Sequence, residues 1–177
     1  MSTLLVLGGA RSGKSRYAIS VQPRSDVVFV ATAEARDADM ATRIARHRAE
    51  RPLGWTTIEE PYDLTGRLEG LPDDASVVVD CLTLWVANRQ LRGDDDRAIL
   101  ADARRLAALI RASRARVTLV SNEVGEGVHP PTADGLRFRD LLGLVNQEIA
   151  AACERVVLMV AGIPLAVKTS ATSVPAP

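Results

Sequence analysis

The sequence predicts an α/β fold, a mostly parallel sheet with helices on both faces. Three features carry that prediction. Strand-like and helix-like segments alternate along the chain. The strand-like runs are continuously apolar, as expected of strands covered on both sides. A glycine-rich turn stands directly behind the first apolar run and ahead of a helical stretch. In chain order, β-rich apolar runs occupy 3–7, 27–31, 55–58, 77–80, 116–121 and 156–161. Helical stretches fill 14–21, 37–51, 62–68, 94–112 and 138–152. Pro52 ends the second of these, because the residue before a proline disfavours the helical region. In the last, Leu141, Leu142, Val145, Ile149 and Ala152 recur on one helical face. Residues 163–168 follow Gly162 so closely that they read as the return strand of an antiparallel C-terminal hairpin. No repeat or long linker divides the chain, so 1–168 is expected to form one catalytic domain. The small, polar, proline-containing tail 169–177 is expected to be flexible.

Composition narrows the function. Lysine plus arginine and aspartate plus glutamate both number 22 among 177 residues, so no global field steers the chain to nucleic acid or membrane. Two Trp, two Tyr and two Phe leave few platforms for stacking bases. Cys81 and Cys153 have no metal-type spacing, and with no secretory leader in view they read as reduced thiols of a cytoplasmic protein. The apolar stretch 156–167 is interrupted by Gly162 and Pro164 and is too short to span a bilayer.

The glycine-rich turn, Gly8-Gly9-Ala10-Arg11-Ser12-Gly13-Lys14-Ser15, has the spacing G-x-x-x-x-G-K-S of a phosphate-binding loop (P-loop). Glycines let backbone N–H groups turn inward around phosphate oxygens. The lysine ammonium reaches the β and γ phosphates, and the serine hydroxyl ligates Mg²⁺. A helix beginning near Gly13 adds its positive end to the same site. The expected ligand is a nucleoside triphosphate.

Other candidates are less decisive alone. Asp80, ending the apolar run 77–80, is placed either to hold Mg²⁺ opposite Ser15 or to cap the next helix. Arg43, Arg46, Arg48 and Arg51 crowd around His47. On a helix, Met40, Ala41, Ile44 and Ala45 form the expected inward face, with His47 at its edge. That stretch is either a solvated basic helix or an imidazole set among phosphate-binding cations, where it could attack phosphorus. The polar, glycine-rich segment from Ser121 to Pro131 follows an apolar strand, where open α/β sheets bind ligands, but ordinary connections have the same composition. Phe138-Arg139-Asp140 and Asn146-Gln147 have no assignable role on residue physics. The guanine-reading N-K-x-D of a GTPase switch is missing from the sequence.

Taken together and in order, these segments resemble the bifunctional adenosylcobinamide kinase/adenosylcobinamide-phosphate guanylyltransferases of cobalamin biosynthesis. The likeness comprises the 8–15 loop, Ala31-Thr32-Ala33, the block from Asp39 to Trp55 with Arg43-Ile44, His47 and Arg51-Pro52, and Asp80-Cys81-Leu82-Thr83-Leu84-Trp85. It continues through Ser121-Asn122-Glu123-Val124-Gly125, Phe138-Arg139-Asp140, Asn146-Gln147 and Gly162-Ile163-Pro164. It implies a RecA-like P-loop NTPase fold, a homotrimer, and GTP and ATP as substrates with Mg²⁺. It also implies phosphorylation of adenosylcobinamide followed by transfer of GMP through a guanylyl-histidine at His47. The nucleotide-binding residues it implies are the 8–15 loop, Ala31, Thr32, Ala33, Arg48, Ala49, Glu50, Arg51, Glu59 and Asp80. Two departures stand out. Glu60 beside Glu59 makes the ligating acid ambiguous, and His129 sets a second imidazole before Pro130.

Overall fold

A computed structural model describes residues 2–23 and 26–169; the part of the expected tail from 170 onward lies outside the described residues. The elements are β1 (Ser2–Gly8), α1 (Lys14–Ser20), β2 (Val27–Ala31), α2 (Ala38–Ala49), β3 (Thr56–Glu59), α3 (Leu64–Glu69) and β4 (Ser76–Asp80). They continue as α4 (Leu82–Arg92), α5 (Asp96–Ala112), β5 (Arg116–Val120), α6 (Ala133–Ala152), β6 (Arg155–Val160) and β7 (Ile163–Lys168). One seven-stranded sheet runs in the order β3-β2-β4-β5-β1-β6-β7. Every pairing is parallel except β6 with β7, which form the expected antiparallel hairpin.

Strand residues alternate between two apolar layers, as the pleat requires. Leu5, Val30, Val77, Val79, Val117, Leu119 and Val156 face a large core built with α3, α4, α5 and α6. Leu4, Val6, Val27, Phe29, Val78, Val120 and Val157 face a smaller layer with Ala18 of α1 and, at its margin, Trp55. Both faces are covered, which explains the continuous apolarity of the runs, but the cover is very unequal.

Three expectations need correction. The helix α4 was not expected, because its sequence mixes Leu82, Trp85 and Val86 with Asn88 and Arg89, and all five are buried. Asn88 is satisfied by donating to the Thr32 carbonyl at 2.7 Å, and Arg89 by Asp94 and Asp102. Polar residues with partners thus occupy positions that a purely apolar stripe would fill. The last helix begins at Ala133 rather than 138, because Thr132 caps it by accepting from Gly135 N. Finally, α2 has no buried residue: Ala41 and Ala45 are exposed, and Met40, Ile44 and His47 are only half-buried. Its arginine-rich surface does not pack into either apolar layer, so the expected inward face is not a core face.

The α4–α5 corner offers a test of the fold. Hydrogen bonds from Arg92 and then Arg89 hold Asp94 down, from 3.8 to about 2. A depressed carboxyl stabilises the fold above its ordinary value and loses that contribution as pH falls through the folded one. Asp94→Asn should therefore lower the melting temperature at neutral pH. It should also flatten the loss of stability between about pH 4 and about pH 2. An unchanged acid limb in thermal melts would show that the corner charges contribute nothing.

Candidate nucleotide site

The carboxyl ends of β2, β4, β5 and β1 form one edge of the sheet, where a parallel α/β fold exposes its loops to ligands. The loop leaving β1 is tightly constrained. Gly8 has φ +149, and a Cβ there would lie 2.7 Å from the Met159 carbonyl and from Ser12 Oγ, so no larger residue fits. Gly13 has φ +96 and caps α1. The loop is also held from the hairpin, where Gly162 N–H donates to the Ser12 carbonyl at 3.0 Å. Within it, Lys14 is buried and donates from Nζ to the Gly9 carbonyl at 2.7 Å. Burial lowers its pKa, opposed by the nearby Cys81 and Asp80, while Arg43 lowers it further. The side chains of Ala10 and Arg11 are exposed, and Ser12 Oγ is buried without a partner among the described residues.

Asp80 lies where the chemistry converges. Burial raises its pKa, and four groups oppose that: a hydrogen bond from Ser15, then the charges of His47, Arg51 and Lys14. Residues from the start of α1, from α2 and from the segment after α2 therefore act on one carboxylate. The ends of β4 and β1 are two strand spacings apart, roughly 10 Å. Ser15 reaches across that gap closely enough for its hydroxyl to help hold the Asp80 pKa down.

The position of α2 now makes sense. His47 is among the charges that act on Asp80 and Arg43 among those that act on Lys14, and the two stand one helical turn apart on the same face of α2. Arg51, just past the helix, is half-buried: its guanidinium sits 3.8 Å over the Phe29 ring, and Nη1 donates to Thr57 Oγ1 at 2.9 Å. Burial lowers its pKa, and Asp80 is the first of the groups opposing that shift. Arg48 reaches Glu59 at 3.8 Å with both side chains largely exposed, while Ala49 and the C-capping Glu50 face solvent.

The Ala31-Thr32-Ala33 turn is tied to Asp80. Thr32 is fully buried. Its N–H donates to the Asp80 carbonyl at 3.1 Å, its hydroxyl donates to the Cys81 carbonyl at 2.7 Å, and Cys81 N–H returns a bond at 2.8 Å. The Thr32 side chain thus steadies the Asp80 backbone and is not free for a ligand. Glu60 is also committed: Oε1 accepts from Tyr62 N and Asp63 N at 3.0 and 2.8 Å. Of the two adjacent acids, Glu59 is the one whose carboxylate faces outward.

The segment after β5 is more structured than its composition suggests. Asn122 N donates to Thr83 Oγ1 at 2.7 Å, and the Asn122 carbonyl accepts from Asn146 at 3.0 Å. Asn146, unassigned from sequence, is therefore a loop anchor whose polar partner is remote in the chain. His129 is exposed, with Nδ1 2.8 Å from Arg139 Nη1, and Arg139 also bonds Asp140. Among the described residues, no group of three or more His, Cys, Asp or Glu could hold a metal ion, and no helix is long and apolar enough to cross a membrane.

Residues 4–167 match the family described as cobinamide kinase / cobinamide phosphate guanyltransferase. The chain belongs to this family. It is accordingly an enzyme, a kinase and guanylyltransferase of cobalamin biosynthesis. The bifunctional adenosylcobalamin biosynthesis protein CobP of Pseudomonas aeruginosa is 43% identical over 167 residues, covering 93% of this chain and 96% of the relative. Bifunctional adenosylcobalamin biosynthesis protein CobU of Escherichia coli is 38% identical over 179 residues, covering 93% and 99%. The solved structure of a Pyrococcus horikoshii OT3 protein superposes with a TM-score of 0.55 at 9% identity, covering 95% of this chain and 86% of that one. At that identity the likeness concerns the fold alone.

Proposed function

We propose that this family member phosphorylates adenosylcobinamide with ATP or GTP and then transfers GMP from GTP to adenosylcobinamide phosphate. The products of the second step are adenosylcobinamide-GDP and pyrophosphate, and His47 carries the guanylyl group between the two displacements. The observation that carries this reading is the convergence of Ser15, His47, Arg51 and Lys14 on Asp80. A phosphate loop alone would suit any kinase, whereas an imidazole brought to the same carboxylate suits nucleotidyl transfer.

In the kinase step the substrate hydroxyl oxygen attacks the γ phosphorus, and the bond from that phosphorus to the bridging oxygen breaks. Lys14 is placed to stabilise the charge that moves onto the departing diphosphate. In the second reaction an imidazole nitrogen of His47 attacks the α phosphorus of GTP, a P–N bond forms and pyrophosphate leaves. The phosphate of the corrinoid then attacks the same phosphorus, the P–N bond breaks and His47 is regenerated. Arg43 and Arg51, flanking Lys14 and Asp80, are placed to neutralise charge on the transferred and departing phosphates. The adjacent 8–15 loop, the Ala31–Ala33 turn, the 48–51 segment and Glu59 complete the nucleotide-binding surface.

Ser15 and Asp80 fit a Mg²⁺ ion. The Ser15 hydroxyl already acts on the Asp80 carboxylate, and Mg²⁺ characteristically takes few protein oxygens alongside phosphates and water. Bound there, the ion would offset phosphate charge. Asp80→Asn keeps the shape but removes the compensating charge, so the Mg²⁺ concentration for half-maximal turnover should rise at least tenfold. A superimposable Mg²⁺ titration would make Asp80 a structural residue.

Exposed Ile163, Leu165 and Val167 on the edge strand β7 support a homo-oligomer, which the family resemblance makes a trimer. The decisive assay for the overall reading is pyrophosphate release from GTP in the presence of phosphorylated cobinamide. Release matched by GMP transfer is expected. Phosphorylation of cobinamide with no pyrophosphate release would instead leave a monofunctional kinase, for which His47 has no use.

A further inference from the structure

Two reacting centres need different help. His47 is itself the nucleophile for guanylyl transfer, but the kinase step starts from a neutral hydroxyl that must lose a proton. Transfer to a positioned carboxylate is the usual solution, provided the acid lies beside the phosphate being moved and is not otherwise engaged.

The sheet order makes the search short. Strand β5 lies between β1 and β4, and Val120, its last residue, is in register with Val6 on one side and Asp80 on the other. The chain leaving Val120 therefore emerges between the phosphate loop and Asp80. Its backbone is anchored to both sides. Ser121 N donates to the Val6 carbonyl at 3.0 Å and Glu123 N to the Gly8 carbonyl at 3.2 Å, while Asn122 N is held by Thr83, three residues beyond Asp80. Asn146 fixes the Asn122 carbonyl from α6.

The other acids at this edge are committed or more remote. Asp80 is surrounded by Ser15, His47, Arg51 and Lys14, Glu34 bonds Tyr62 and Arg36, Asp37 caps α2, and Glu60 caps the turn before α3. Glu59 ends the edge strand β3 and faces Arg48. Glu123 differs from all of these in its place, directly after β5 with its own N–H on the Gly8 carbonyl of the phosphate loop. Its Oε1 accepts from Gly125 N at 2.7 Å, which fixes the carboxylate, and among the described residues nothing takes Oε2. A rigid backbone mount at the phosphate loop and one free carboxylate oxygen are what a general base requires.

We propose that Glu123 is the general base of the kinase step, which rests on the phosphate-loop reading of that step. The hydroxyl proton passes to Glu123 Oε2 as the oxygen forms its bond to the γ phosphorus. The bond from that phosphorus to the bridging oxygen breaks with its electron pair going to the leaving diphosphate, and Glu123 later releases the proton to water. Guanylyl transfer has no hydroxyl to deprotonate and makes no use of this residue.

Glu123→Gln tests this cleanly, because glutamine still offers an oxygen to Gly125 N–H and so keeps the turn while losing basicity. The full-length protein is assayed for ATP-dependent phosphorylation of cobinamide and, separately, for GMP transfer to phosphorylated cobinamide. The expected result is a fall in kinase kcat of roughly a hundredfold or more. The KM for ATP, the melting temperature and GMP transfer should each stay close to wild type. Glu123→Asp, which retains a base, should recover at least a tenth of the lost rate, and Glu126→Gln on the same loop should behave as wild type. A wild-type kinase kcat in Glu123→Gln overturns the proposal, as does an equal loss of both activities, which would mark a residue that only shapes the loop. Wild-type protein that does not phosphorylate cobinamide would refute the kinase reading itself, a result distinct from either.

Discussion

Lys14→Ala is expected to remove most triphosphate binding and to suppress both transfer reactions. The ammonium now rests on the Gly9 carbonyl, stored on the loop that is to receive the phosphates. Burial makes its charge costly, and the phosphate oxygens would supply the compensation that a single carbonyl supplies poorly. Losing one charge-assisted contact to a phosphate under transfer should cost on the order of 2–4 kcal/mol, or roughly 30- to 1000-fold in rate. The loop itself should survive, since Ser12 N also donates to Gly9 O and the hairpin still holds Ser12 through Gly162. Circular dichroism and melting should therefore match wild type while nucleotide titration fails. A folded variant with normal turnover would remove the phosphate loop from the mechanism.

His47→Ala should abolish GMP transfer while leaving phosphorylation of cobinamide largely intact. Replacing a covalent nucleophile with a methyl group removes the whole two-displacement route, so the loss should be complete within detection rather than graded. The γ-phosphoryl transfer requires no enzyme-bound intermediate and so should continue. Wild-type guanylyl transfer should correspondingly show ping-pong kinetics, and His129→Ala should preserve them. His129 is exposed and already paired through Nδ1 with Arg139, so nothing in its surroundings brings it to Asp80. Parallel loss of both reactions in His47→Ala would mean that α2 supports the phosphate loop instead of supplying a nucleophile.

Much of this was legible because the chain states its local rules openly. Continuous Val and Leu runs marked the strands, and the glycines at 8 and 13 marked a loop that structure shows no larger residue could form at Gly8. The acid at the end of the 77–80 run was visible, as was the hairpin after Gly162. What stayed hidden depended on partners far apart in sequence. Asn88 and Arg89 are buried only because Thr32 on one side and Asp94 and Asp102 on the other satisfy them. The 37–51 stretch has helical periodicity, but periodicity alone cannot tell a face turned to the core from one turned to a site. Its half-buried line of Met40, Ile44 and His47 enters neither apolar layer, and His47 acts electrostatically on Asp80. The Glu59 and Glu60 choice was likewise invisible, since it turns on which carboxylate caps the turn at Tyr62 and Asp63. Thr32 shows the opposite limit: the motif that contains it was legible, but its hydroxyl works on the Cys81 backbone rather than on a ligand.

The central claim is that one phosphate site serves both reactions and that His47 carries the guanylyl group. Incubating the wild-type protein with GTP labelled at the α phosphate tests this directly, with acid and alkali treatment and peptide mapping of the protein-bound label. A phosphoramidate is predicted: label that is lost in acid, kept in alkali, and found on the peptide containing His47. Label on the His129 peptide, or efficient GMP transfer with no protein-bound label at any time, would contradict it.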